Sequence, residues 1–188
     1  MNNELYFSKT IQTIYIQDIE SPIGTLGAVV HNDYLVFLQF KDAVHYERDL
    51  KKCKQLLRKE LVNESHPVFE ALQQQLNEYF AGNRQSFDIP IEFVGSPFQR
   101  RVWECLVDVP FGNTLSYTQQ AERCGQPTAV RAVSSAVALN KVLILVPCHR
   151  IIASDGNTGG YSGGTNRKQF LLQLEGAHTE SDQLLQMW

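Results

Sequence analysis

Residues 142 to 152 read Val-Leu-Ile-Leu-Val-Pro-Cys-His-Arg-Ile-Ile. Five consecutive aliphatic residues can only be placed inside a fold. Their β-branched content predicts a buried strand over Val142 to Val146. Pro147, Cys148, His149 and Arg150 then emerge from a hydrophobic wall. A thiol there is shielded from water yet able to face a pocket. A reactive cysteine needs a neighbour that favours the thiolate, and a histidine is one such neighbour. On this pair alone, a structural cysteine at the end of a core strand and a reactive cysteine are both open.

A chain of 188 residues can bury that run in one large domain or two small ones. The formal net charge of -3 provides no global basic field for nucleic acid or anionic membrane, although a local patch can still be basic. Cys53, Cys105, Cys124 and Cys148 include no CxxC pair. The segment Met1 to Lys9 is polar, and no apolar run reaches the length of a membrane span. The expectation is a cytoplasmic protein with free thiols. His31, His45, His66 and Cys53 lack finger-like spacing, so no metal is expected.

The first half reads as a meander followed by helices. Strands are expected over Thr13 to Asp18, Thr25 to Val30 and Tyr34 to Phe40, the last apolar enough to be central. Ser21-Pro22-Ile23-Gly24 and His31-Asn32-Asp33 mark the turns. Helices are expected within 43 to 61 and over Pro67 to Phe80. A boundary falls near Gly95, where Ser96-Pro97 starts a helix carrying Phe98, Val102, Trp103 and Leu106 on one face. Thr114 to Tyr117 is short and extended. A short helix over Thr118 to Arg123, a turn at Gly125-Gln126-Pro127 and a helix over Thr128 to about Leu139 outline a helix-turn-helix. The second of these helices is smooth, with Arg131 its one charge. It suits either a grooved surface entered by that arginine or a buried helix with a snorkelling arginine. Ser154 to Gly164 holds five glycines, a loop whose backbone can approach a ligand. Asn166 to Glu175 is an amphipathic helix stopped by Gly176, and Leu184, Leu185 and Trp188 in the tail could dock.

Pro147-Cys148-His149-Arg150-Ile151, Arg131-Ala132-Val133, Asn140, Tyr161-Ser162-Gly163-Gly164, Leu171-Leu172 and Glu175-Gly176 stand in order without a gap. Together they resemble the O6-alkylguanine-DNA alkyltransferases, also called methylated-DNA–protein-cysteine methyltransferases. The match runs closely from about Ser96 to Gly176 and in outline over the first half. It implies an α+β fold with a small ribonuclease H-like unit of sheet plus helices over residues 1–93. A mostly helical DNA-binding and alkyltransferase unit with the helix-turn-helix would follow over 94–188.

The resemblance implies single-turnover DNA repair by a monomer, without a cofactor. An alkyl group on O6 of guanine in double-stranded DNA would move to Cys148 and stay there as a thioether; O4-alkylthymine is a second candidate substrate. His149 would act as base through a bridging water and Glu175 would hold its tautomer, making Cys148 a thiolate. Tyr117 would protonate the leaving guanine and crowd the neighbouring phosphate. Asn140 would stabilise the turn carrying Cys148. The target must leave the stack, with Arg131 filling the space and Ala129, Ala132 and Ser135 lying against the minor groove. Tyr161, Ser162 and Gly163 would line the base pocket. Lys141 and Leu143 replace prolines found in many relatives, and Val130, Ser134 and Ala138 also depart from the pattern. Two other readings remain: a non-catalytic sensor of alkylated bases, against which Cys148 speaks, and a cysteine hydrolase, which needs an oxyanion hole that the sequence does not signal.

Overall fold

The computed structural model describes residues 14–58 and 61–177, so the expected docking of Leu184, Leu185 and Trp188 lies outside the described residues. Strands β1 (Ile14–Ile19), β2 (Leu26–His31) and β3 (Tyr34–Phe40) form an antiparallel meander. Asn32 and Asp33 both take positive φ, 48° and 65°, the conformation a two-residue hairpin needs to follow the strand twist. A two-residue strand that the sequence did not suggest, β4 (Leu61–Val62), pairs parallel to β1, giving the order β3-β2-β1-β4. Helices α1 (Tyr46–Leu57) and α2 (Pro67–Phe80) complete this half.

β3 is therefore not central: it ends the ladder. Its apolarity has another cause, because irregular backbone covers its outer edge. Leu35 N–H donates to the Pro90 carbonyl at 2.8 Å, and Glu92 N–H to Leu35 at 3.1 Å. Leu38 N–H donates to Lys141 at 2.8 Å, and Leu143 N–H returns to Leu38 at 2.9 Å. An edge paired in this way is buried like an interior strand.

Val142–Val146 also departs from the expected strand. It is buried but is not a strand; Val142 makes one bridge to Leu38, and the chain then turns on itself. Ile144 takes φ 71°, a strained position for a β-branched residue, with Leu145 N–H bonded to the Leu143 carbonyl at 2.9 Å. The strand reading failed because composition does not show where backbone polar groups go. The Asn140 side chain satisfies them: its amide donates to the Val146 carbonyl at 2.9 Å, and its oxygen accepts from Val142 N–H at 3.0 Å.

In the second half, α3 (Pro97–Val107) begins at Ser96 with a reciprocal capping box to Gln99. β5 (Leu115–Ser116) pairs parallel to β6 (Ile151–Ile152). α4 (Tyr117–Arg123), capped by Ser116 with Gln119, leads through Gly125 to α5 (Val130–Ala138), and α6 (Thr165–Leu174) closes the description. Phe98 is only partly buried, whereas Val102, Trp103 and Leu106 are core, and the Trp103 indole donates to the Ala136 carbonyl at 2.8 Å. The fold is α+β, and one apolar core runs through both halves, joining Phe40, Leu72 and Tyr79 to Trp103, Leu106 and Cys148. Lys141 makes a largely buried ion pair with Asp49 of α1 at 3.1 Å, a further tie between the halves. None of the described helices is long and apolar enough to cross a membrane.

Candidate functional site

The turn after Val146 continues into a single 3₁₀ turn, Cys148–Arg150, buried throughout. The Asn140 amide that braces the turn also donates to the Cys148 sulfur at 3.1 Å. One side chain thus fixes the backbone and touches the thiol. From the N-terminal half, the Gln39 amide donates to the Asn140 carbonyl at 3.0 Å, which fixes Asn140 in turn.

His149 is fully buried, and its Nε2 lies 2.9 Å from Glu175 Oε1. Burial alone would raise the Glu175 carboxyl, but hydrogen bonds and charge from His149 and Arg150 outweigh it and hold the group far below the usual carboxylate range. Glu175 is therefore an anion and an acceptor. That assigns the proton to Nε2 and leaves Nδ1 with its lone pair. Nδ1 is buried with no hydrogen-bond partner among the described residues. Burial, reinforced by the Arg150 and Lys168 charges, lowers the His149 pKa despite Glu175, so the ring is a neutral base at neutral pH.

At rest, burial favours the protonated form of the Cys148 thiol. Burial pushes Cys148 up to about 11, and the Asn140 bond and the Lys168 charge only reduce that effect. Lys168 is fully buried on α6, donates to the Ile151 and Gly160 carbonyls, and is lowered to about 8, chiefly by burial. A resting site of neutral thiol beside neutral imidazole can charge only when the thiol proton moves to the ring.

Cys148, His149, Glu175 and Asn140 thus meet in one buried cluster, and others adjoin it. Tyr117, half-buried at the start of α4, has its hydroxyl held protonated by burial first and then by the nearness of Cys148. The Tyr161 ring stands edge-on to His149, centroids 6.3 Å apart, and both its hydroxyl and that of Ser162 are buried without partners among the described residues. Gly163 packs where a side chain cannot fit: a Cβ there would lie 2.6 Å from the Tyr161 ring and 2.9 Å from Phe40. Gly163→Ala is therefore expected to lower the melting temperature by several degrees, since overpacking costs about 1–3 kcal/mol and each kcal/mol about 2–4 °C. An unchanged calorimetric midpoint would show that the rings yield freely.

The remaining residues singled out in the sequence lie on α5 or, for Ala129, at its start, outside the hydrogen-bonded cluster around the thiol. Val133, Ala136 and Val137 face the core, while Arg131, Ala132 and Ser135 are exposed and Ala129 is half-buried. Arg131 is thus not the snorkelling arginine of a buried helix. No hydrogen bond or ion pair holds its guanidinium among the described residues, and the exposed face beside it is small and smooth.

Sequence reasoning missed three contributors: Arg150, Lys168 and Tyr79. Arg150 forks onto Glu175, Nε to Oε2 at 2.8 Å and Nη2 to Oε1 at 2.9 Å. Tyr79 of α2 donates its hydroxyl to Glu175 Oε1 at 2.7 Å. Lys168 shares the helical spacing of Leu171, Leu172 and Glu175, a signal that was readable. Tyr79 shares its face with buried Leu72 and Leu76 and so reads as core.

Comparison with known proteins bears on this arrangement. Residues 14–93 match the ribonuclease-like domain of 6-O-methylguanine DNA methyltransferase, and residues 97–177 match the DNA binding domain of the same family. A methylated-DNA–protein-cysteine methyltransferase of Mycobacterium bovis is 38% identical over 169 residues, 90% of this chain and 96% of the relative. One of Methanosarcina acetivorans is 35% identical, over 87% of this chain and 99% of the relative. The crystal structure of Mycobacterium tuberculosis OGT in complex with DNA superposes with a TM-score of 0.74 at 37% identity, covering 86% of this chain and 92% of that one. The chain belongs to the methylated-DNA–protein-cysteine methyltransferase family, DNA-binding repair proteins that move an alkyl group from DNA onto a cysteine of their own.

Proposed function

We propose that Cys148 is the acceptor, that O6-alkylguanine in double-stranded DNA is the donor, and that His149 is the base. The observation that carries this reading is the pairing of a thiol held by Asn140 with an adjacent histidine whose Nε2 is committed to Glu175 and whose buried Nδ1 is free to take a proton. The sulfur attacks the alkyl carbon, an S–C bond forms, and the C–O6 bond breaks with its electron pair left on the guanine. The thiol proton passes toward His149 Nδ1 through a bridging water. Tyr117, kept protonated by its surroundings, protonates the guanine as it leaves and recovers a proton from the protonated His149, so that in net the thiol proton ends on the guanine and both His149 and Tyr117 return to their starting states. The thioether has no route back, so each molecule acts once.

The exposed arginine and smooth face of α5 suit entry into the minor groove, with Arg131 filling the place of the flipped nucleotide and Ala129, Ala132 and Ser135 against the backbone. Tyr161, Ser162 and Gly163 would receive the base. Residues 94–188 carry DNA binding and transfer, and residues 1–93 support them. The protein works as a monomer in the cytoplasm, where its four free cysteines would stay reduced.

The test is mass spectrometry after incubation with duplex DNA containing O6-methylguanine. One methyl mass is expected on the peptide containing Cys148, and none on the Cys148→Ala protein. A methyl group on Cys53, Cys105 or Cys124, or an unmodified protein after complete mixing, would overturn the assignment.

A further inference from the structure

We propose that Tyr79, carried on α2 of the N-terminal half, is a positioning residue for the transfer: its hydroxyl occupies Glu175 Oε1 and so keeps His149 less basic than an unshared carboxylate would. The inference rests on the reading of His149 as base. Nothing in the family matches assigns the ribonuclease-like half a part in the chemistry.

The geometry centres on Glu175. Its Oε1 accepts from the Tyr79 hydroxyl at 2.7 Å, from His149 Nε2 at 2.9 Å and from Arg150 Nη2 at 2.9 Å. Its Oε2 accepts from Arg150 Nε at 2.8 Å and from Gly112 N–H at 3.4 Å. The proton affinity of His149 depends on the negative charge remaining on Oε1, and each further donor to that oxygen withdraws some of it. The shortest of the three contacts is the one from Tyr79.

The hydroxyl is not needed for packing. The Tyr79 ring is fully buried against Phe80, Phe87 and Phe111, with centroids 5.3, 5.4 and 6.1 Å away, and phenylalanine would fill the same space. A buried tyrosine hydroxyl needs a partner, and this one is directed at the carboxylate that orients the base. The charged and titratable groups around His149 are Glu175 and Lys168 from α6, Arg150 and Cys148 from its own turn, and Tyr161 from the glycine-rich loop. Those around Tyr79 are Glu175, Arg150 and Tyr161. Arg150 and Lys168 also hold His149 neutral, and Tyr79 adds to them without adding charge.

A base must be unprotonated to act, so transfer is lost as pH falls through the His149 midpoint. Removing the Tyr79 hydroxyl leaves more charge on Oε1, stabilises the imidazolium and moves that midpoint up. Strengthening the donor moves it down. Three proteins test this: the parent, Tyr79→Phe, and the parent with 3-fluorotyrosine placed at position 79, whose hydroxyl is the stronger acid. The readouts are the ¹⁵N titration of the His149 ring and the pH dependence of the single-turnover transfer rate. Tyr79→Phe is expected to raise both midpoints by about half a pH unit or more, and fluorotyrosine to lower both. A His149 midpoint that does not move, whatever happens to thermal stability, overturns the proposal, as do shifts in the same direction from both changes. Should Tyr79→Phe fail to fold, the fluorotyrosine protein decides alone by the direction of its shift. A parental transfer rate that ignores the parental His149 midpoint overturns the base reading itself, a result distinct from an unmoved midpoint.

Discussion

Replacing Glu175 with alanine is expected to cost the fold about 3–5 kcal/mol, the usual loss when one partner of a buried ion pair is removed. It should also slow alkyl transfer by about a hundredfold or more, the scale of a misplaced general base. Both effects have one origin. Glu175 is the shared acceptor for His149, Arg150 and Tyr79, all buried. Without it, the Arg150 guanidinium keeps, among the described residues, the Val109 carbonyl as its one hydrogen-bond acceptor, and His149 Nε2 and the Tyr79 hydroxyl lose theirs. Glu175→Gln keeps the volume but offers one neutral oxygen where three donors converge, so its loss should be intermediate. Comparing the parent with Glu175→Gln against pH checks the electrostatics. The folded carboxyl is held below its unfolded value, so its contribution is present above the unfolded pKa and is lost as pH falls toward the folded one. The gap in stability should be full above about pH 5 and shrink below about pH 4. Urea unfolding measures it, and an alanine variant with the parental midpoint would refute the shared-acceptor role.

Much of this arrangement was legible because the deciding signals were local. Ser96-Pro97 with Gln99 announces a helix start through contacts within three residues, and α2 runs over the span its proline, apolar spacing and terminal glycine mark out. The hairpin at Asn32-Asp33 is equally local. The errors arose where a distant group decided. Val142–Val146 has the composition of a strand, but the Asn140 side chain satisfies its backbone and permits the turn at Ile144. Tyr34–Phe40 is apolar because the backbone near Pro90 and Lys141 covers its edge. Cys148 and His149 stand out in the sequence itself and Asn140 and Glu175 enter through the resemblance, whereas Tyr79 does neither, because its acceptor lies 96 residues away and its own surroundings look like core. The rise of the Cys148 thiol was also illegible, because the depth of burial that causes it is encoded by no local motif.

Arg131→Ala is expected to slow repair of O6-methylguanine in duplex DNA by about a hundredfold while leaving reaction with free O6-benzylguanine within about twofold of the parent. A hundredfold is about 2.7 kcal/mol of lost transition-state stabilisation, within the few kcal/mol that unstacking and unpairing a base cost. The split follows from the position of Arg131. It is exposed on α5, without a hydrogen-bond or ion-pair partner among the described residues, and away from the buried cluster of Cys148, His149 and Glu175. Its loss removes neither a core contact nor a neighbour of the thiol, so stability and intrinsic reactivity should persist. On the proposed reading, what is lost is the group that holds the nucleotide out of the stack, a need that the free base does not have. Loss of one phosphate-binding cation predicts a different result: a modest change that fades with added salt. Single-turnover rates on duplex, single-stranded and free-base substrates at two salt concentrations separate these outcomes. Equal slowing on all three would place Arg131 in support of the pocket and not in nucleotide flipping.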